Sequence, residues 1–317
     1  MTYVVGAANS RDDPIEPWRR LQERLDPLLS SPEQRNDFPA ELEALALDVF
    51  QMTEADPDLA ILAMVRLDPF DYAIAHALQS AVACDVYGHS AGTPIEHRIV
   101  MIQAALTMNI AMLALQRELE WQSEPPSAEQ QEQIRQHPLR GRDQLRTLGV
   151  ANAAWLQAVA EHHESEDGSG YPTGCHSLSI EADVLAVADR YCALLSRRGP
   201  RDAMTCNRAA RALYSAAYGK RQALVSRVIE VFGQHPPGSL VRLVNGEIGL
   251  VVRRGNAFKS ELVCTLLGAS GQPLESIELR DTSIAELAIA AAIPNREYSG
   301  IIDYTLIRQT VADAASA

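Results

Sequence analysis

Residues 162–172 read His-His-Glu-Ser-Glu-Asp-Gly-Ser-Gly-Tyr-Pro, and this stretch decides how the rest of the chain is interpreted. The histidine pair closes a predicted helix over 151–163, where the apolar residues follow helical spacing. Gly168 and Gly170 break helices and supply free φ, so the residues after the pair form a loop. A single helical histidine is most often structural or exposed. A pair that ends a helix beside a glycine-rich loop favours a functional site.

Helical apolar spacing extends in both directions from this stretch. Helices are predicted from residue 40 to 65, over 72–86, through an apolar segment at 99–119, and over 139–148, 178–196, 203–216 and 220–233. Residues 123–133 read as a polar connection. After residue 235 the pattern changes to period two, and Asn245-Gly246 between two such runs predicts a β-hairpin. A weak helix ends the chain. The sequence therefore predicts a mainly α-helical body followed by a small β-rich part.

Composition excludes several classes of protein. The 317 residues include 41 acidic and 28 basic side chains, for a net charge of −13, which argues against a partner that is nucleic acid. The five cysteines are scattered without a CxxC pair, so reduced thiols in a cytoplasmic protein fit best. The N-terminus has no secretory pattern. The apolar run from Ile99 to Leu115 is shorter than a usual membrane span, so we interpret it as a buried core helix and expect no membrane partner.

Four histidines and one aspartate are candidates for a metal site. His76 and Asp189 lie on two separate predicted helices, His162 and His163 end a third, and His137 comes just before a fourth. In one bundle their imidazoles and the carboxylate can converge on an ion. Spacing alone is weak evidence for this. The alternative is that these side chains make ordinary hydrogen bonds in the core and at helix ends.

The stretch from His162 to Pro172 resembles the signature of HD-GYP domains, which are bacterial cyclic di-GMP phosphodiesterases of the HD metal-dependent phosphohydrolases. His137-Pro138 with Gly141 is similar to the HP-x-x-G motif of that family. Residues 184–191, Val-Leu-Ala-Val-Ala-Asp-Arg-Tyr, resemble its LAVAD-x-Y helix. The order and gaps agree over about residues 68–232. The resemblance implies an HD-type helical bundle, with His76 at the position of the first ligand histidine.

In the family, two or three iron or manganese ions on histidine and aspartate side chains activate a water that attacks the phosphodiester. The resemblance implies that the retained ligands are His76 and Asp189 at a first position. It places His137, His162 and His163 at a second, where the three imidazoles could hold one ion of Fe, Mn or Zn. The alternative is that the histidines are remnants and no ion binds.

The dyad that names the family is missing from this chain. Met108 stands at the histidine position, Asn109 at the aspartate position and Met112 at the lysine position. A neutral amide cannot bridge two cations as a carboxylate does, and a thioether is a poor ligand for Fe(II) or Mn(II). Tyr72 occupies the place of a further carboxylate found in trinuclear members. The catalytic residues are therefore unknown, and phosphodiesterase activity is expected to be lost.

Two further groups are candidates for binding a ligand or a partner. Gly170, Tyr171 and Pro172 keep the GYP motif, which the resemblance places beside the ligand pocket and at the contact with diguanylate cyclase (GGDEF) domains. Arg198 and Arg201 stand at arginine positions of the family, where phosphate or guanine contacts are expected. The alternatives are a loop that only holds a turn and solvated arginines. Cys192, in place of the usual Asp, changes the neighbourhood of this pocket.

These observations give one set of predictions. The fold is mainly α, an HD-type helical bundle, with an N-terminal helical segment at 1–67, an HD-GYP-like domain at 68–235 and a β-rich subdomain at 236–317. The chain is predicted to be a degenerate HD-GYP protein that acts by binding cyclic di-GMP or a signalling protein, with no metal or one partially occupied ion. The alternatives are a weakly active phosphodiesterase with a reduced metal site, and an interaction module whose pocket binds nothing.

Overall fold

A computed structural model describes residues 13–67, 71–196, 202–217, 219–255, 260–274, 276–294 and 298–316. Arg198 and Arg201 lie outside these residues. The described part is mostly helical, as the sequence predicts. The helices are α1 (Glu16–Ser30), α2 (Phe38–Ala55), α3 (Pro57–Arg66), α4 (Tyr72–Ala91), α5 (Ile95–Thr107), α6 (Leu113–Trp121), α7 (Ala128–Thr147), α8 (Ala153–Glu161), α9 (Ile180–Leu195), α10 (Cys206–Ala216), α11 (Gly219–Phe232) and α12 (Tyr304–Ser316).

Five short strands form one antiparallel sheet in the C-terminal part, in the order β4-β3-β2-β1-β5. The predicted hairpin is confirmed: β1 pairs with β2 across Asn245-Gly246, and Gly246 takes a φ of +90° that the turn requires. Strand β5 was not predicted, because its alanine-rich sequence has neither β-branched alternation nor a turn signal before it. The strands are β1 (Leu240–Leu243), β2 (Ile248–Arg253), β3 (Leu262–Leu267), β4 (Leu279–Asp281) and β5 (Ile289–Ile293).

Helix α4 is the central helix of the bundle. The side chain of Asp71 caps its start by accepting hydrogen bonds from the backbone N–H groups of Ala73 and Ile74. Fifteen of its twenty residues are buried, and it packs against α5, α9, α2 and α3. The apolar core continues into the sheet, since Leu240 and Leu250 belong to the same buried cluster as the helices. The boundaries at 67/68 and 235/236 stay predictions.

The prediction of one continuous helix over 99–119 was wrong. Helix α5 ends at Thr107, a 3-10 turn covers Ile110–Met112, and α6 begins at Leu113. The backbone leaves helical values at Asn109 (φ −104°, ψ 12°) and again at Met112 (φ −127°, ψ 16°). The turn packs against α7, where Ile110 lies beside Gly141. Apolar spacing continues through the turn because all three pieces face the core, so the sequence pattern could not reveal the break.

Within the described residues, one segment, Ile95–Trp121, is long and apolar enough to span a membrane by length and composition. Of its most apolar window, 78% is buried inside the structure, which agrees with the predicted core segment. The polar connection predicted at 123–133 is shorter than expected. Ser127 and Gln130 form a reciprocal capping box, which starts α7 at Ala128 in spite of its polar composition.

Candidate functional site: a histidine cluster beside a cavity

Four elements bring the five candidate ligands to one place in the bundle. His76 lies on α4, His137 on α7, His162 and His163 directly after α8, and Asp189 on α9. The structure arranges them as two groups. His76 is hydrogen-bonded to Asp189, and the other three histidines form a cluster in which one ring nitrogen of each lies within 4.8 Å of the other two.

Pro138 explains the orientation of His137. A proline inside a helix has no N–H to donate, so the carbonyl four residues earlier is left without its helical bond. That carbonyl belongs to Ile134, and His137 Nδ1 lies 2.6 Å from its oxygen. Because a carbonyl can only accept, His137 Nδ1 carries the proton and its Nε2 presents a lone pair to the site.

The end of α8 orients His162 in the same way. The last carbonyls of a helix have no intrahelical partner, and His162 Nδ1 donates to Val159 O at 2.7 Å. Its Nε2 therefore also presents a lone pair, 3.2 Å from His137 Nε2. Two lone pairs at this distance repel each other, and a cation between them removes the conflict. The donor set fits a metal ion, because metal-bound histidines are typically held by a hydrogen bond from the second ring nitrogen.

The pKa values of the cluster agree with neutral imidazoles, which metal binding requires. Burial and the neighbouring His162 lower the pKa of His137 to about 3. Burial also lowers the pKa of His162, and burial together with His162 lowers that of His163 well below its usual value. The three-histidine set is thus compatible with a single ion at neutral pH.

The second group does not offer an equivalent site. His76 Nε2 lies 2.7 Å from Asp189 Oδ1, so the imidazole donates to the carboxylate. Burial alone would raise the pKa of Asp189, but the hydrogen bond and charge of His76 hold it below its usual range. Asn109, at the position where the resemblance implies a bridging carboxylate, has a neutral amide. The residues present at this position do not fit a second cation.

A cavity of about 510 Å³ opens beside both groups. Asn109 and Met112 lie on its wall together with His76, His137, His163, Tyr171 and Asp189. Met108 is fully buried in the apolar core instead. The three residues that the resemblance places at the HD and lysine positions therefore differ in location, since Asn109 and Met112 form the surface of the cavity and Met108 packs behind it.

The glycine loop is held against the cluster by Glu164. This buried carboxylate accepts hydrogen bonds from Thr173 N at 2.6 Å, from Thr173 Oγ1 at 2.8 Å and from Cys175 N at 3.1 Å. A Cβ at Gly170 would overlap the backbone of Glu164, so the turn requires glycine there. Tyr171 donates its N–H to His163 O at 3.1 Å and stacks on the His163 ring with centroids 4.7 Å apart. The loop thus forms part of the site wall.

Sequence reasoning missed two residues of this region. Glu164 lies inside the quoted motif, but its position gave no indication that it would fasten the loop. Gln116 is buried on the cavity wall, and the continuous helix predicted through 99–119 hid which of its residues face the site. A break in that helix could have been suspected from Asn109, which favours turns over helix interiors.

Comparisons with known proteins agree with these motifs. The family model described as HD domain matches residues 70–220. Over 123 residues the chain is 29% identical to the cyclic di-GMP phosphodiesterase PA4108 of Pseudomonas aeruginosa, covering 38% of this chain and 30% of that protein. It is 25% identical over 127 residues to the cyclic di-GMP phosphodiesterase PdeB of Borreliella burgdorferi, covering 39% of this chain and 33% of that protein. The chain thus matches a third or less of the length of these relatives.

A third relative matches over a shorter stretch, and one solved structure matches over most of the chain. The cyclic di-GMP phosphodiesterase response regulator RpfG of Xanthomonas campestris is 46% identical over 56 residues, 17% of this chain and 15% of that protein. Bd1817, an HDG"Y"P protein from Bdellovibrio bacteriovorus, superposes with a TM-score of 0.58 at 12% identity, covering 72% of this chain and 74% of Bd1817. At that identity the likeness concerns the fold.

Proposed function

We propose that this chain, whose residues 70–220 match the HD domain family and which resembles HD-GYP proteins, acts in cyclic di-GMP signalling by binding and not by hydrolysis. One observation carries the proposal. The wall of the cavity has Asn109 and Met112 where active members of the family are expected to have aspartate and lysine. Two-metal hydrolysis needs an anionic bridge between the ions, and at position 109 this wall offers a neutral amide.

At most one ion is expected in each chain, on His137, His162 and His163. When bound, an ion such as Zn(II), Fe(II) or Mn(II) would supply a positive charge that attracts a phosphate oxygen. The chain's own residues do the rest of the binding. Backbone carbonyls fix the tautomers of His137 and His162, and Tyr171 closes one side of the cavity by stacking on His163.

Hydrolysis of cyclic di-GMP by anaerobically prepared protein, supplied with Fe(II) or Mn(II), tests the proposal directly. We expect no linear dinucleotide, and we expect titration calorimetry to show binding of cyclic di-GMP. Metal analysis of the same preparation should give one ion per chain or less. Two ions per chain, or turnover by the wild type, would contradict the proposal.

The intact three-histidine cluster favours a second candidate, a weak phosphodiesterase that uses a reduced site of His137, His162, His163 and Asp189. Under this alternative the wild type produces linear dinucleotide slowly, and His162→Ala abolishes the product. A wild type whose activity persists in full in His162→Ala would contradict it, because the product would then come from a contaminating enzyme.

A third candidate is an interaction module whose pocket binds nothing. Calorimetry discriminates it, because measurable binding that is lost on replacing both Arg198 and Arg201 by alanine would refute an inert pocket. The same variants test the proposed contact of these arginines with phosphate or guanine.

The loop with Gly170, Tyr171 and Pro172 is proposed to contact a diguanylate cyclase (GGDEF) domain protein. Its exposed side chains Asp167 and Ser169 are accessible to a partner, whereas Tyr171 is engaged with His163. We expect replacement of Asp167 and Ser169 by arginine to weaken binding of a GGDEF-domain protein. His162→Ala, which leaves the loop surface unchanged, should retain it. Equal binding by both variants would rule out the loop contact.

A further inference from the structure

One face of α6 forms a wall of the cavity. Met112, just before the helix, Gln116 and Leu119 follow the helical spacing of four and three residues, and all three line the cavity. His76, Asn109 and Asp189 line the same space. Gln116 thus faces the cavity within a stripe that is otherwise apolar.

The carboxamide oxygen of Gln116 is buried and has no hydrogen-bond partner among the described residues. The residue as a whole is 2% exposed. A buried amide without partners destabilises a fold. Gln122, which also lines the cavity, is different, because its amide is held by Gln130 and by the backbone of Glu124. Oε1 of Gln116 therefore has unused hydrogen-bonding capacity at the cavity wall.

The surroundings of Gln116 suit a flat, largely apolar group. Met112, Leu115 and Leu119 form a small buried cluster with Ile134 packed on it. A planar base can lie against such side chains while its edge remains in reach of a single amide. A carboxamide offers one acceptor and one donor side by side, and the lactam edge of guanine offers the complementary N1–H donor and O6 acceptor.

We propose that Gln116 pairs with the lactam edge of one guanine base of the ligand, so that α6 forms a guanine subsite on the cavity wall. This inference rests on the proposed function, since it assigns a contact of cyclic di-GMP. It assigns recognition to a side chain outside the motifs that carry the family resemblance. The His137, His162 and His163 cluster would then lie toward the phosphate side of the ligand.

The test compares Gln116→Leu with Gln22→Leu in the full chain. Gln22 is a matched control, because it is 3% exposed on α1, its Nε2 also has no partner among the described residues, and it does not line this cavity. Both changes remove an unpaired buried amide, so both should raise the melting temperature of the free protein. Only Gln116→Leu should weaken cyclic di-GMP binding, by about 10-fold.

Cyclic di-IMP serves as a second ligand, because it keeps N1–H and O6 and lacks only the exocyclic amine. We expect it to bind the wild type and to lose affinity in Gln116→Leu to the same extent. Gln116→Met, which keeps an unbranched side chain, repeats the measurement if the leucine variant misfolds. Equal affinity of wild type and Gln116 variants for cyclic di-GMP would overturn the subsite alone. Absence of binding by the wild type would overturn the subsite and the proposed function together.

Discussion

Replacing Glu164 by glutamine tests whether one buried carboxylate holds the glycine loop on the histidine cluster. Glu164 is 1% exposed and accepts three hydrogen bonds from Thr173 and Cys175. A glutamine keeps one oxygen and can retain the two bonds from Thr173. Its NH₂ group would then face the N–H of Cys175, so that one charge-assisted bond is lost and two donors oppose each other.

The expected loss of stability follows from this count. A hydrogen bond to a charged group contributes about 1.5–3 kcal/mol, and a buried donor without an acceptor adds a similar cost. We therefore expect Glu164→Gln to lower the free energy of unfolding of the loop by about 3–6 kcal/mol. Because Tyr171 is tied to His163, the loosened loop should also weaken binding of a divalent ion at the histidine cluster.

Native-state hydrogen exchange at the amides of Thr173 and Cys175 measures the effect locally, and urea unfolding measures it globally. Glu166→Gln is the matched control, because Glu166 lies in the same loop and its carboxylate forms an ion pair with the exposed Lys220, which contributes about 1 kcal/mol or less. If Glu164→Gln exchanged no faster than Glu166→Gln, the carboxylate would not hold the loop and this reasoning would be refuted.

Three further predictions concern the metal site and the core. A divalent ion at 100 times its Kd should stabilise the wild type by about 2.7 kcal/mol, measured as a shift in Tm that His162→Ala abolishes. Restoring the dyad with Met108→His and Asn109→Asp should raise the metal content from at most one ion toward two per chain; an unchanged content would show that other residues limit the site. On α4, burial raises the pKa of Asp85 to about 6, against the attraction of Arg98. The folded state therefore favours protonated Asp85, which contributes about 3 kcal/mol to the free energy of unfolding at low pH. This contribution should be lost as pH rises from about 4 to 6. Urea unfolding at several pH values measures the loss, and Asp85→Asn should remove this pH dependence.

Local motifs proved sufficient to predict the helical bundle, the hairpin and the five candidate ligands that lie together in the structure. The hairpin followed from Asn245-Gly246, whose turn depends on two residues only. Strand β5 could not be predicted, because alanine-rich residues form a strand there only through pairing with β1, a contact distant in sequence. The break at Asn109 escaped for a related reason, since packing of the 3-10 turn against Gly141 is a tertiary contact.

The sequence predicted which residues could form the site, but it did not predict which of them contact each other. Histidine spacing indicated which side chains could converge. It could not show that His76 would pair with Asp189 while the other three form a separate cluster. Gln116 illustrates the limit most clearly, because its significance comes from a missing hydrogen bond, which only the surrounding structure reveals.

The orientation of His137 and His162 comes from the main chain. Ile134 O is free because Pro138 follows His137, and Val159 O is free because α8 ends. Where side chains accept the hydrogen bonds that orient ligand histidines, a single substitution can remove each acceptor. Here no side-chain replacement at Ile134 or Val159 deletes the supporting oxygen. Substitutions elsewhere on the cavity wall, such as those proposed at positions 108 and 109, can therefore leave the orientation of these two imidazoles unchanged.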